Sequence, residues 1–312
     1  LSKSLKKEQE GFSINWLKIA RITVVTMLYS DALSKLYHAT AVRETKKGIT
    51  KELKEKYLEL AKPIIEANRP SGLFKLLKEA VKDFSAAAKP DVKLPQVGIV
   101  GEIYLKFNSF AHKNITGWMM EHGIEVIPPN LANFFLQNFV NRLTNRKLFL
   151  DRGDKFPGLL VSFVYNWITK QIIKIDNICE QFAYYIPSDD VFEEAKNGRE
   201  VINMAAQFGE GWLLPAEIVT FAKAGINNVI SLQPFGCIAN HIVSKGIEKK
   251  IKTLYPQMNL LSLDFDSGVS DVNIANRLLL FVDNIQLSTG SKKRKPSIME
   301  QQRKAWSEEV ML

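Results

Sequence analysis

Apolar residues recur at helical spacing through the first part of the chain. Ile14, Leu17, Ile19, Ile22, Val25, Leu28 and Leu33 give a broad apolar face around Trp16. Leu53, Tyr57, Leu60 and Ala61 repeat the spacing in a second segment, which should stop near Pro63. A third helix is expected over 72–88. Lys89-Pro-Asp-Val-Lys-Leu-Pro95 then has the composition of a linker. Beyond it the pattern changes. Short β-prone runs at 97–103, 124–127, 227–232 and 259–265 alternate with helical stretches at 115–122, 130–147, 158–184, 190–206, 215–224, 240–254 and 271–284. Such alternation predicts an α/β fold: a mainly parallel, Rossmann-like sheet with flanking helices, preceded by a helical N-terminal region. The expected divisions are a helical region at 1–92, an α/β domain at 93–289 and a basic, flexible tail at 290–312. Strands 97–103, 227–232 and 259–265 are expected to lie side by side or nearly so.

Composition narrows the class. The 312 residues suffice for two ordinary domains, and 46% hydrophobic with 24% charged residues is the balance of a soluble globular protein. No apolar run approaches the roughly 20 residues that cross a bilayer, so no membrane partner is expected. The basic start Leu1-Ser-Lys-Ser-Leu-Lys-Lys lacks the apolar segment of a signal peptide, and a cytoplasmic location follows as the default. Part of the net charge of +9 lies in Lys292-Lys-Arg-Lys295. No nucleic-acid module or interleaved aromatic residue accompanies that cluster, so it reads as a solvated tail and nucleic acid is not an expected partner.

Candidate chemistry centres on Leu232-Gln-Pro-Phe-Gly-Cys237-Ile-Ala-Asn-His241. Pro234 and Gly236 end a buried strand, and Asn240 is expected to cap a helix with Val243, Ile247, Ile251 and Leu254 inside. A thiol beside a helix N-terminus favours thiolate, the form that ligates metal or attacks an electrophile. A small buried thiol at a strand end fits the local pattern equally well. The second cysteine, Cys179, sits on an apolar helical stripe with Ile172, Ile175 and Phe182 and reads as core. Two cysteines cannot supply the four thiolates usual for an iron–sulfur cluster.

Several blocks together resemble one family. They are Pro95-Gln-Val-Gly-Ile-Val-Gly-Glu-Ile-Tyr104 with Phe107-Asn108, Gly209-Glu-Gly-Trp-Leu-Leu-Pro-Ala-Glu217, Gln233 to His241, Leu263-Asp-Phe-Asp-Ser-Gly-Val-Ser270 and Asn273-Ile-Ala-Asn-Arg277. The chain resembles the C-terminal portion of the iron–sulfur proteins related to 2-hydroxyacyl-CoA dehydratases and their activators, the CoA-substrate-specific enzyme activase-related proteins. The resemblance runs from about residue 15 to 285. It implies low-potential electron transfer through a [4Fe–4S]-type cluster, driven by an ATP-hydrolysing activator module, toward a CoA thioester in anaerobic metabolism. It also implies Cys237 as cluster ligand, with partner cysteines from a missing N-terminal region or a second subunit. The isolated chain is then expected to hold no cluster of its own. Two departures stand out: Ala239 replaces a common proline, and His112-Lys113 interrupts an asparagine-rich stretch.

Other residues keep two readings each. Glu102, at a strand end, can accept hydrogen bonds from a loop or act on a ligand as a catalytic group. His241 can bond a cluster sulfur or substrate, or serve only the helix start. Asp264 and Asp266 can hold a metal with phosphate, although Asp266-Ser-Gly268 more simply forms a turn with Ser270 as a cap. Gly98-Ile-Val-Gly101 lacks the spacing of a dinucleotide fingerprint, and no P-loop is present. Two other functions compete with the redox reading: a non-catalytic docking module of a larger activase, and a cysteine-nucleophile enzyme built on Cys237 and His241.

Overall fold

The computed structural model describes residues 15–150, 157–266, 268 and 270–288. The Lys292 to Lys295 cluster and the tail at 290–312 lie outside the described residues.

Three helices open the structure: α1 (Trp16–Ala41), α2 (Ile49–Glu66) and α3 (Pro70–Ala87). Asn15 caps α1 by accepting from the Lys18 N–H at 3.0 Å, and Pro70 starts α3 where no N–H is needed. Helix α2 runs through Pro63 instead of stopping near it. The carbonyl that Pro63 cannot satisfy belongs to exposed Glu59, where water can serve it.

The rest of the chain carries β1 (Gln96–Gly101), α4 (Ile103–Phe107), α5 (Ile115–Glu121), β2 (Glu125–Ile127), α6 (Leu131–Lys147), α7 (Gly158–Cys179), α8 (Val191–Gly198) and α9 (Leu213–Lys223). Then follow β3 (Asn228–Pro234), a π-helical segment (Ala239–Lys245), α10 (Glu248–Leu254), β4 (Asn259–Phe265) and α11 (Asp271–Ser288). The strands form one all-parallel sheet in the order β2-β1-β3-β4, so β1, β3 and β4 are neighbours as the sequence predicts.

Alternation along the strands sorts the two faces. Val97, Ile99, Ile230, Leu232 and Leu263 pack with α5 and α11, whereas Val100 and Val229 pack with α9 and α10. Gly98 leaves room for the Phe221 ring, which a Cβ there would meet at 2.5 Å. The helical layer is larger than the stretch 1–92. Helices α6, α7 and α8 share one apolar core with α1, α2 and α3, including Leu36, Leu77, Phe84, Val140, Ile175 and Ala195. The expected helix at 240–254 is divided, with the π-helical segment ending at Gly246, where a Cβ would meet the Ile242 carbonyl at 2.3 Å. Leu254, expected inside, is exposed, and Ile251 carries the packing.

Candidate functional site

From β1 the chain crosses outward to β2, then returns past β1 to β3 and on to β4. The order in which strands are added to the sheet therefore reverses between β1 and β3. In open parallel sheets the crevice beyond the carboxyl ends at such a reversal is where ligands sit. Its two sides here are the Gly101–Glu102 corner and the turn from Phe235 to Ile238.

The β1 side is held rigidly. Gly101 has φ +134°, and a Cβ there would lie 2.0 Å from the Leu232 carbonyl oxygen. The strand ends at Gly101, short of 103, because Glu102 turns the chain into α4. Its backbone N–H donates to Leu232 O at 2.9 Å, and its carboxylate accepts from the Leu105 N–H at 3.1 Å. Glu102 is thus the cap of α4. Next to it, buried Glu210 accepts from the Ile103 N–H at 2.6 Å. The glycine-flanked turn 209–211 carries Glu210 there, anchored by Trp212, which is fully buried and donates from Nε1 to Asn141 Oδ1 at 2.6 Å.

On the β3 side, Gly236 turns with φ +82° and presents Cys237 half-exposed. Asn240 does not cap a helix. It lies inside the π-helical segment, fully buried, and its Nδ2 donates to Cys237 Sγ at 3.1 Å. That N–H supplies the polarity at sulfur that the sequence reading assigned to a helix dipole. His241 contacts the backbone rather than the sulfur: Nδ1 lies 3.0 Å from Cys237 O, and Nε2 lies 3.2 Å from Asp264 Oδ1. Asp264 is itself held by Gln233 Nε2 at 2.6 Å and Lys245 Nζ at 3.2 Å. Asp266 closes a turn by accepting from the Gly268 N–H at 2.7 Å. Around the thiol, Phe235, Ile238 and Ile242 are 72%, 70% and 65% exposed. The structure brings Cys237, Asn240, His241 and Asp264 together, and it places Glu102 across the reversal.

Cys179 is fully buried at the end of α7, and burial pushes its thiol up to about 12. One thiol therefore stands at the crevice, and no group of three or more His, Cys, Asp or Glu residues that could hold a metal occurs among the described residues.

The sequence reading missed a set of buried charges beneath the crevice. Lys106 Nζ lies 3.1 and 3.3 Å from the two oxygens of Glu217, both side chains being almost inaccessible. Burial raises the Glu217 carboxyl above its ordinary range, while Lys106 opposes the shift. Glu194 is raised further by burial and by the nearby Glu217. Its Oε1 accepts from Asn133 Nδ2 at 2.9 Å, and its Oε2 has no partner among the described residues. The signal was a single charge inside an apolar run, as in Leu213-Leu-Pro-Ala-Glu217-Ile-Val.

Comparison with family models, curated proteins and solved structures finds no match for this chain. No described helix is long and apolar enough to cross a membrane.

Proposed function

We propose that this chain forms one wall of a shared iron–sulfur site in a redox protein of the kind its sequence resembles, with Cys237 as the ligand it contributes. The observation that carries the reading is the half-exposed Cys237 thiol at the sheet reversal, with the Asn240 amide on its sulfur and three exposed apolar side chains around it. An N–H donated to sulfur holds a ligating thiol in place, and the apolar rim suits closure by another protein surface that excludes water. The remaining thiolates come from an N-terminal region or a second subunit. In this reading Glu102 and His241 fix the backbone on either side of the crevice. The expected partners are an ATP-hydrolysing activator module and a CoA thioester substrate, both taken from the resemblance.

The test is iron per protein in the full-length assembly. Cys237→Ser should lower bound iron and leave circular dichroism unchanged, whereas Cys179→Ser should retain iron. Equal iron loss in both variants, or none in Cys237→Ser, removes the proposal and leaves the docking-module reading, for which the exposed Phe235, Ile238 and Ile242 would be the contact.

A further inference from the structure

We propose that the cleft between the α1–α2 corner and the 106–117 segment binds a small organic diphosphate. The inference stands apart from Cys237 and does not rest on the iron–sulfur reading. The cleft has a volume of about 1080 Å³ and opens at the β2 side of the sheet's carboxyl edge.

One wall is cationic. Lys51 and Lys54 project from the first turns of α2, and Lys47 stands in the corner just before it. All three are exposed, and among the described residues none is held in an ion pair. Lys54 rests its ammonium 4.6 Å from the centre of the Tyr37 ring. Like charges at this helical spacing repel one another, and an anion bound between them relieves that repulsion. Of the carboxylates on the cleft, Glu44 is committed to the backbone, accepting from the Gly48 N–H at 2.8 Å. Glu121 lies at the exposed rim.

The other wall supplies a donor already oriented. His112 is only 2% exposed, and its Nδ1 accepts from the Ile115 N–H at 3.1 Å. That bond leaves the ring proton on Nε2. Burial lowers the pKa of His112, which favours the neutral ring. Among the described residues its Nε2–H has no hydrogen-bond partner, and the side chain lines the cleft. Phe107, Met120, Pro128 and Pro129 complete the lining with apolar surface. Clustered ammonium groups and a neutral N–H suit closely spaced phosphate charges, and the apolar surface suits the organic group that carries them.

Calorimetric titration of the chain at low salt tests this, using ADP, inorganic pyrophosphate, adenosine and citrate as probes. ADP should bind most tightly, with pyrophosphate weaker and adenosine and citrate weaker by about tenfold or more. Added salt should weaken ADP binding. The double variant K51E/K54E should lose about tenfold in ADP affinity with an unchanged circular dichroism spectrum. The same charge change on α3, K78E/K82E, should stay within about twofold of the parent. The proposal is overturned by absence of ADP binding at about 1 mM, by citrate or pyrophosphate binding as tightly as ADP, or by equal affinity in the two double variants.

Discussion

Replacing Lys106 by Met tests the charge pair beneath the crevice. The ammonium lies 3.1 and 3.3 Å from the Glu217 oxygens, and the two side chains are 0% and 9% exposed. Met keeps the stem and removes the charge, leaving Glu217 with no counter-charge and little water. Breaking a buried pair from one side costs about 3–5 kcal/mol. The loss should depend on pH in a stated direction. Burial already raises the Glu217 carboxyl, and Lys106 opposes it. Without Lys106 the carboxyl rises further, so the folded variant holds a proton that the unfolded chain releases. The variant's deficit should therefore grow as pH rises above the ordinary carboxylate range and shrink at about pH 5. Removing the orphaned carboxylate too, in Lys106→Met/Glu217→Gln, should restore about 2 kcal/mol or more at pH 8. Urea unfolding followed by circular dichroism at both pH values, with a constant dependence on urea, gives these numbers. A Lys106→Met loss below about 1 kcal/mol, or a double variant at least as unstable as the sum of the singles, would refute the argument.

Gly101→Ala should lower the urea midpoint far more than Gly123→Ala. Both need a positive φ, but only at Gly101 would the new Cβ meet backbone, 2.0 Å from Leu232 O, so equal midpoints would contradict the close approach of β1 and β3. For Glu194, whose carboxyl is raised by burial, the stabilising proton is fully present below the ordinary carboxylate pKa and is lost as pH rises through the folded value. Glu194→Gln should remove that part of the decline between pH 5 and pH 9, and identical slopes in the two proteins would count against it. Brief iodoacetamide treatment of the native chain should label Cys237 and spare Cys179, which should react only in urea. Mass spectrometry finding both labelled at similar rates would contradict the burial of Cys179.

Strand positions were legible because apolar β-prone runs are short and sharply bounded. The runs at 97–103, 227–232 and 259–265 do pair as β1, β3 and β4. The turn carrying Cys237 was legible from Pro234 and Gly236. Membership of the layers was not, because helical periodicity tells which face of α6 or α7 is apolar and not which neighbour covers it. The Asn240 contact was also hidden. An asparagine before a helical pattern ordinarily caps it, whereas here Asn240 lies inside the helical segment three residues past Cys237, and its amide reaches back onto Cys237 Sγ. The pairing of Lys106 with Glu217 joins residues 111 positions apart, a separation that no local pattern reports.

The shared core of α1 to α3 with α6 to α8 has a consequence for the order in which the chain can mature. Helices α1 to α3 leave the ribosome before α6 and α7, which cover part of α1 and α3 and emerge only after β1 and β2. Until residue 179 has been made, apolar surface on α1 and α3 lacks its native cover and is open to chaperones or to wrong partners. Both strands of the β1–β2 pair are then synthesised before the layer that supports them is complete. The natural unit for expression or transplantation is therefore the whole interleaved body, since a cut at the linker near residue 92 would divide a single core.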